Sequence, residues 1–402
     1  MSVRLKTLAI LITSCDANEV RPFVALEHIE SNTGSLLTEP ELRERTRPDN
    51  GAAAVEPGDI LFGKLRPYLA KSWLVDRPAF ASTELLCLRP AAGVEPRWLS
   101  YVCASQPLIE WAIATSEGTK MPRTSWEKLS QYWLACPSLA VQRAVADYLD
   151  TETARIDALI AKKQQLMYAA DARLRGRAGT LTAAAVTVGL NRDGARVFAG
   201  WRAMRLRRCF AAIDYGIGEA SKSSGDVAVL GMGNVDDRGR IGGDPGGYVE
   251  SVDPRLLLRA GDLLFNRTNS LAKVGKVGLV RELAEPTTFA SYLVRFRTSS
   301  VADSEYLNYA LNTDEVLGLA RSTALPSIGQ ANLNPSRYSE LRIALPSLEE
   351  QRSIVAVLET ERRRVEALGT RLQRQIALLV ERRQALITAA VTGQLEVAGV
   401  AA

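Results

Sequence analysis

The sequence predicts an α+β protein with two mixed α/β domains and two long antiparallel helices that form a coiled coil, arranged as a pseudo-twofold tandem repeat. The first observation is a repeated helical stretch. PSLAVQRAVADYLDTETARIDAL from Pro137 and PSLEEQRSIVAVLETERRRVEAL from Pro346 are identical at 11 of 23 paired positions. The second is a turn and strand repeated upstream of each stretch, and the third is a heptad pattern inside each helix. At 402 residues the chain is long for one domain, which agrees with a duplicated unit.

Each predicted domain contains a Gly-Asp turn that leads into a short apolar strand. The segment GDILF begins at Gly58 and GDLLF begins at Gly261, and FAST at Phe80 is matched by FASY at Phe289. A turn followed by a short apolar run is typical of a β-strand. The repeat therefore predicts four segments. They are a first domain at 1–136, a first spacer helix at 137–190, a second domain at 191–345, and a second spacer helix with the C-terminal tail at 346–402.

The spacer helices carry an apolar seam with a 4–3 spacing, which is typical of a short coiled coil. Six of eight seam positions are apolar in each helix, and Glu152, Lys163, Glu361 and Gln375 interrupt the pattern. The predicted coiled-coil positions are Val145, Leu149, Ile156, Leu159 and Leu166 in the first helix and Ile354, Leu358, Val365, Leu368, Leu372 and Leu379 in the second.

An alternative is that each helix packs only on its own domain. A helix of about 40 residues is about 60 Å long, which exceeds the reach of a domain of this size. We therefore expect the two helices to bury much of each other's seam. They end in similar segments, LTAAAVTVGL from Leu181 and LITAAVTGQL from Leu386, and the changed offset adds four residues to the first helix.

Composition indicates a globular cytoplasmic protein. Hydrophobic residues make up 47% of the chain, and no apolar run approaches the roughly 18–20 residues of a membrane span. The N-terminal run from Leu8 to Ile12 is shorter than the core of a signal peptide, so we expect a strand there. The net charge of +5 permits a nucleic-acid partner without requiring one. The scattered cysteines form no C-x-x-C pair, which indicates reduced thiols and no zinc site; they are Cys15, Cys87, Cys103, Cys136 and Cys209.

The sequence offers little for catalysis. The single histidine, His28, has no nucleophile–acid set around it and is predicted to make a local hydrogen bond. LGMGN from Leu230 lacks the third glycine of a dinucleotide cradle, and no phosphate-binding P-loop is present. NPSRY from Asn334 lacks the second proline of the Asn-Pro-Pro-Tyr box of adenine methyltransferases. A nuclease set of Asp59, Glu84 and Lys120 rests on a spacing that is common by accident. We predict neither a catalytic nor a metal site.

Two polar, basic loops recur at matched places in both domains and are candidates for holding a polyanion. Arginine and asparagine can pair with guanine and adenine edges, whereas lysine, serine and threonine suit phosphates. Ordinary solvated loops are the alternative, but the matched recurrence favours binding. In the first domain the candidates are Lys64, Arg66, Tyr68, Lys120, Arg123, Thr124 and Ser125. In the second they are Asn266, Arg267, Thr268, Asn269, Lys273, Arg321, Ser327, Gln330 and Asn332.

The repeated P-S-L-x-x-Q-R motif, the long helices and the terminal ERRQALITAAVTGQLEV from Glu381 resemble the specificity subunit of Type I restriction–modification systems, over essentially the whole chain. The resemblance implies a non-catalytic subunit whose two target recognition domains each bind one half of a split DNA site, with the spacer helices setting the gap. It also implies two modification subunits that carry S-adenosylmethionine and methylate adenine. Restriction subunits that use ATP and Mg could join them, while this chain holds no cofactor.

The sequence departs from that family at two places. The second domain opens with WRAMRLRRC at Trp201, whereas the first begins at Met1 without a matching tryptophan, so we expect either a shortened N-terminal segment or a misplaced start codon. The first helix has LTAAAVTVGL where the second has the fuller AAVTGQL, so we expect looser partner docking there. Two rival functions remain: a tandem-repeat adaptor that binds protein, and a self-sufficient methyltransferase or nuclease.

Overall fold

A computed structural model describes residues 2–13, 21–37, 44–45, 53–182, 201–218, 221–327 and 330–397. The chain forms two compact units. Unit 1 contains Met1–Gln164 and Leu372–Ala402, and unit 2 contains Gln165–Arg371. Each unit therefore combines one mixed domain with one part of each long helix.

Unit 1 contains short strands, three short helices and the start of a long helix. Its strands are β1 (Ser2–Arg4), β2 (Ala9–Ile12), β3 (Arg21–Val24), β4 (Glu44–Arg45), β5 (Ala53–Val55), β6 (Ile60–Gly63), β7 (Ser72–Leu74), β8 (Ala79–Ala81), β9 (Leu85–Pro90) and β10 (Trp133–Ala135). Its helices are α1 (Pro96–Ala104), α2 (Gln106–Ala114) and α3 (Trp126–Leu129), followed by α4 (Leu139–Thr182), which continues into unit 2. Turns of 3-10 helix occupy Leu5–Thr7, Leu26–His28 and Pro67–Leu69.

Unit 2 has a similar order of elements. Its strands are β11 (Arg202–Arg205), β12 (Phe210–Tyr215), β13 (Val227–Leu230), β14 (Tyr248–Val249), β15 (Leu263–Asn266), β16 (Thr268–Asn269), β17 (Val277–Leu279), β18 (Thr287–Phe289), β19 (Leu293–Thr298), β20 (Leu325–Ser327), β21 (Gln330–Asn332) and β22 (Arg342–Leu345). Its helices are α5 (Leu206–Cys209), α6 (Ser304–Leu311), α7 (Asp314–Ser322), α8 (Pro335–Ser339) and α9 (Leu348–Val391), which ends in unit 1. Turns of 3-10 helix occupy Met232–Asn234 and Pro254–Leu256.

The strand pairings confirm the predicted duplication of an α+β domain. An antiparallel sheet of order β2-β9-β6-β7 in unit 1 has its counterpart β12-β19-β15-β17 in unit 2. Each unit also has a parallel pair, β3 with β8 and β13 with β18. The first and last strands of each domain pair antiparallel, β1 with β10 and β11 with β22.

The repeated Gly-Asp turn has a structural role. Gly58 and Gly261 have φ of +95° and +89°, a conformation that side chains with a Cβ rarely adopt. The Asp59 carboxylate accepts hydrogen bonds from Nε and Nη2 of Arg89, at 2.8 and 2.7 Å, across the sheet. Asp262 accepts in the same way from Arg297, at 2.9 and 3.3 Å. Asp59 is therefore part of a structural ion pair, which explains its recurrence without a nuclease site.

The repeated helix motif also has a structural role, carried by its glutamine. Gln351 is fully buried, and its Nε2 donates to the carbonyl oxygens of Pro346, at 2.9 Å, and Val301, at 3.0 Å. Its Oε1 accepts from the backbone N–H of Asp303 at 2.7 Å. Gln142 in unit 1 likewise donates to the carbonyl of Pro137 and accepts from a backbone N–H, that of Glu95. The glutamine thus joins the start of each long helix to its own domain.

Each long helix has 44 residues in the described chain. In unit 1, Lys163 of α4 donates to Gln375 of α9 at 2.7 Å, and Arg383 of α9 pairs with Asp157 of α4 at 3.0 Å. In unit 2, Arg177 of α4 lies 3.7 Å from Glu361 of α9. In unit 1 the residue numbers rise along α4 as they fall along α9, so the two helices run antiparallel there. Whether α4 is four residues longer than α9, as predicted, depends on where α4 ends, and residues 183–200 lie outside the described residues.

The seam positions divide into two groups. Val145 and Leu149 lie in the core of unit 1 together with Trp98, and Ile354 packs against the core of unit 2. The first turns of the helices thus pack on their own domains, as the alternative interpretation held. Leu159 and Leu166 are 47% and 48% exposed, so the helix pair buries less at these positions than a continuous seam would. The positions Ile156, Leu358 and Leu372 are buried, whereas Val365, Leu368 and Leu379 are partly buried.

Each unit has an apolar core between its sheets and helices. In unit 2, Phe265 lies 4.2 Å from Tyr338 and Phe210 lies 4.3 Å from Phe296, measured between ring centroids. None of the described helices is both long and apolar enough to cross a membrane.

Candidate nucleic-acid interface

In unit 2 the two predicted loops form one surface. Strand β16 pairs antiparallel with β21, so Thr268 faces Asn332. The N–H of Leu333 donates to the carbonyl of Arg267 at 2.8 Å, which extends the pairing by one residue. Candidate residues more than sixty positions apart in sequence are thereby brought side by side.

Arg267 lies at the centre of this surface. Its guanidinium carbon is 5.5 Å from the ring centroid of Tyr215, within the range of a cation–π contact. Its Nη1 and Nη2 reach the carbonyl of Ser291 and the Oδ1 of Asn332 only at 3.4 Å each. Its buried Nε has no hydrogen-bond partner. The guanidinium is therefore held against an aromatic ring while its terminal donors make only weak contacts, which a base edge could replace.

The remaining candidates in unit 2 differ in exposure. Asn266 and Thr268 are 1% and 8% exposed, and Asn266 donates to the carbonyl of Met232 at 3.1 Å. These two side chains shape the turn and do not face solvent. Arg321 is partly buried, its Nε donates to the carbonyl of Val274, and burial lowers its pKa. Exposed or partly exposed side chains at this surface are those of Asn269, Lys273, Gln330 and Asn332. The side chain of Ser327 lies outside the described residues.

In unit 1 the corresponding loops meet in the same way. Leu65 forms an antiparallel bridge with Arg123, and the N–H of Thr124 donates to the carbonyl of Lys64 at 3.0 Å. This bond is the counterpart of the bond from Leu333 to Arg267 in unit 2. The N–H of Arg66 adds a bond to the carbonyl of Pro122 at 2.8 Å. Both domains therefore build the candidate surface on the same backbone frame.

The side chains on that frame differ in unit 1. Arg123 donates through Nη2 to both carboxylate oxygens of Glu84 at 3.0 Å, so its charge is partly neutralised. Arg66 is exposed and has a φ of +50°, an uncommon conformation for a residue with a side chain. Tyr68 is 50% exposed, and Lys120 is exposed. Thr124 is 1% exposed, so it is not a surface contact; Lys64 and Ser125 are partly buried.

Sequence reasoning missed two aromatic residues beside Arg267 in unit 2. Tyr215 ends β12 and is 51% exposed, and Tyr292 ends the FASY segment and is 47% exposed. The carbonyl of Tyr292 accepts from the N–H of Arg267 at 3.1 Å. Tyr292 differs from the matched FAST segment of the first domain, a signal that could have identified it. No local pattern connects Tyr215 to Arg267, because the two residues are far apart in sequence.

The rejected catalytic motifs have structural roles. The Nδ1 of His28 accepts from the N–H of Ala25 at 3.1 Å, as the Oδ1 of Asn234 accepts from the N–H of Gly231 at 2.8 Å in unit 2. His28 therefore makes the predicted local hydrogen bond, and the LGMGN segment forms the equivalent capped turn. Within the described residues, no group of three or more histidine, cysteine, aspartate or glutamate side chains could hold a metal ion.

Comparisons with known proteins agree with this architecture. The chain is 24% identical over 280 residues to the type I restriction enzyme StySPI specificity subunit of Salmonella potsdam, a match that covers 68% of this chain and 59% of that protein. It is 29% identical over 117 residues to the putative type I restriction enzyme MjaX specificity subunit of Methanocaldococcus jannaschii, covering 28% of each. No family model matches the chain.

A solved structure concerned with complex assembly and conformational transition of the type I R-M system superimposes with a TM-score of 0.65. It has 21% sequence identity, and the match covers 98% of both chains. This likeness shows that the chain shares the fold of that protein. The two sequence matches confirm the predicted resemblance to specificity subunits of type I restriction enzymes.

Proposed function

We propose that this chain, a relative of type I specificity subunits, is a DNA-binding subunit that recognises a bipartite target. Residues 1–136 and 191–345 would each bind one half-site as target recognition domains. The spacer helices would set the gap between the half-sites. The bound chain would direct partner adenine methyltransferase and restriction subunits to the site.

The observation that carries this proposal is that both domains pair their two loops through the same backbone hydrogen bonds, while the side chains on this backbone frame differ. Arg267, Asn269 and Asn332 occupy the frame in unit 2, where unit 1 has Lys64, Arg66 and Arg123. Arginine and asparagine pair with different base edges, so this variation suits two half-sites of different sequence. Two copies of one frame also suit a target read at two separate places.

When the target is recognised in two parts, the free energy that discriminates it from other sequences is the sum of the contributions from the two half-sites. A good bidentate contact contributes about 1–3 kcal/mol of discrimination between bases. A few such contacts per half-site discriminate well only when both half-sites bind together. A stiff connection raises the effective concentration of the second domain at its half-site, provided that the gap fits.

The chain itself would be non-catalytic. The resemblance places S-adenosylmethionine on two modification subunits, and ATP with Mg on restriction subunits where these are present. Asp59 pairs with Arg89, and His28 accepts a hydrogen bond within its own turn, so both residues have structural roles. As a subunit acting on chromosomal DNA, it would work in the cytoplasm.

Selection from random duplexes tests this function. The full-length chain, alone and with adenine methyltransferase subunits, is incubated with duplexes carrying a random 40-base-pair segment at low salt. We expect two enriched half-sites at a constant gap, with affinity that falls steeply as salt rises. Arg267→Ala should relax base preference in one half-site only. Arg255→Ala is the matched control, because Arg255 is highly exposed in the same unit and pairs with Asp253 beside it.

The protein-binding adaptor makes the opposite prediction. It accounts for the helices but gives no reason for a matched pair of polar loops with an arginine held against a tyrosine. If no sequence is enriched and binding does not depend on salt, the adaptor replaces the proposed function.

A further inference from the structure

One turn in unit 2 contacts both long helices. This helix-contacting turn comprises residues 236–240. Arg238 donates through Nη2 to Asp171 of α4 at 2.5 Å, and Arg240 donates through Nη1 to Glu366 of α9 at 2.9 Å. All four side chains are partly buried, at 18–36% exposure. Ion pairs shielded from solvent in this way are screened less by salt than fully exposed ones.

The turn is held rigidly by the domain behind it. The Asp236 carboxylate accepts from the backbone N–H groups of Arg238 and Arg240 and from Nε of Arg240, at 2.8–2.9 Å. Gly239 has a φ of +68°, and a Cβ there would lie 2.5 Å from the Nδ2 of Asn312. The Nδ2 of Asn308 donates to the carbonyl of Gly239 at 3.0 Å. The two arginines therefore leave the domain from a fixed base.

Unit 1 makes the equivalent connection with reversed polarity. Arg383 of α9 is 7% exposed and donates to the carbonyls of Asn32 and Thr33, at 2.9 and 2.7 Å. Its Nε also lies 3.0 Å from the Asp157 carboxylate of α4. Here a helix arginine contacts the domain turn, whereas in unit 2 turn arginines contact helix carboxylates. In both units one small set of charges joins a domain turn to both helices.

We propose that the residues making these contacts between domain turns and helices are positioning residues for DNA recognition. The residues are Asp171, Arg238, Arg240 and Glu366 in unit 2 and Asp157 with Arg383 in unit 1. They fix the angle of each recognition domain on its part of the helix pair, and this angle determines which gap between half-sites is accepted. The inference rests on the proposed function. It adds the residues that attach each domain to the helices at a fixed angle, so that the length of the helices determines where the domain lies.

The seam alone does not supply this angle. Leu159 and Leu166 are about half exposed, and the pocket beside Leu166 is lined partly by the small side chains of Ala169 and Ala170. Apolar contacts between helices are also non-directional. Charge-assisted hydrogen bonds to a rigid turn are directional, so they are suited to fixing an orientation.

The test compares gap selectivity between variants. Asp171→Asn with Glu366→Gln removes the two carboxylate charges with little change in shape and replaces none of the candidate DNA-binding residues. Glu152→Gln is the control, because Glu152 pairs within α4, with Arg155 at 2.9 Å, and among the described residues it contacts neither domain turn. Full-length chains select from random duplexes and are then titrated with the selected half-sites at the preferred gap and at gaps one base pair longer and shorter.

We expect the double variant to select the same bases but to lose at least about fivefold in discrimination between gaps, while the control stays within about twofold of the parent chain. Asp171→Arg combined with Arg238→Asp should restore part of the discrimination lost by Asp171→Arg alone. An unchanged gap profile would overturn the positioning role, and so would a change in the selected bases. A parent chain that selects no bipartite site would overturn the proposed function and the inference together.

Discussion

Replacing Gln351 by alanine tests whether the repeated P-S-L-x-x-Q motif joins each long helix to its own domain. The substitution leaves the N–H of Asp303 and the carbonyls of Val301 and Pro346 without the partners they have in the fully buried site. Losing three buried hydrogen bonds should lower the free energy of unfolding of unit 2 by about 2–4 kcal/mol. The amide of Asp303 should also exchange faster with solvent.

Hydrogen exchange with mass spectrometry, together with urea denaturation, measures both effects. Gln373→Ala is the matched control, because Gln373 is exposed on the same helix and should change stability by less than about 0.5 kcal/mol. Gln351→Glu should be more stable at pH 4.5 than at pH 7.5. The carboxylate of this glutamate would face two carbonyl oxygens, which raises its pKa in the folded state above its pKa in the unfolded chain. At the lower pH the protonated carboxyl group can again donate a hydrogen bond to one of these carbonyls, so the folded state is stabilised there. A loss below about 1 kcal/mol for Gln351→Ala, with unchanged exchange at Asp303, would refute the role of the motif.

Three further predictions concern local structure. His28→Asn should keep the free energy of unfolding within about 0.5 kcal/mol of the parent chain, because Asn234 caps the equivalent turn in unit 2. His28→Ala should lower it by about 1 kcal/mol, measured by urea denaturation. Equal losses in the two variants would contradict the shared capping role. Replacing Lys163 and Gln375 together by leucine should raise the melting temperature by about 2–4 °C, because it fills two polar positions of the seam with apolar side chains. A melting temperature below that of the parent chain would show that the 2.7 Å hydrogen bond between the two residues stabilises more than an apolar pair. Burial raises the pKa of the thiols of Cys87, Cys103 and Cys209 to about 12. Iodoacetamide at pH 8 should therefore label these three cysteines only after unfolding, because the reagent reacts with the thiolate. Rapid labelling of the folded chain would contradict this prediction.

The architecture could be predicted from the sequence because its signals are local and occur twice. A glycine at positive φ followed by an aspartate that pairs across the sheet leaves the same short motif at Gly58 and Gly261. The buried glutamine does the same at Gln142 and Gln351. Each of these signals lies within a few residues, so a single sequence suffices to detect it.

The detail of the interface could not be predicted, because it depends on contacts between distant segments. Asn266 and Thr268 belong to a polar run in the sequence, yet both are buried in the turn. Tyr215 ends β12 and Arg267 directly follows β15, and these two strands are separated by β19 in one sheet. The heptad pattern likewise did not distinguish positions that pack on a domain, such as Val145, from positions that face the other helix.

Lengthening both helices equally is the most direct test of the central claim, that the helices set the distance between two half-sites. Four residues inserted after Gln164 and four after Gln373 keep the Lys163–Gln375 register and add about 6 Å, or about one helical turn. At about 3.4 Å per base pair, selection from random duplexes should return the same two half-sites with a gap longer by about two base pairs. The same half-sites at the original gap, bound with undiminished affinity, would contradict the claim.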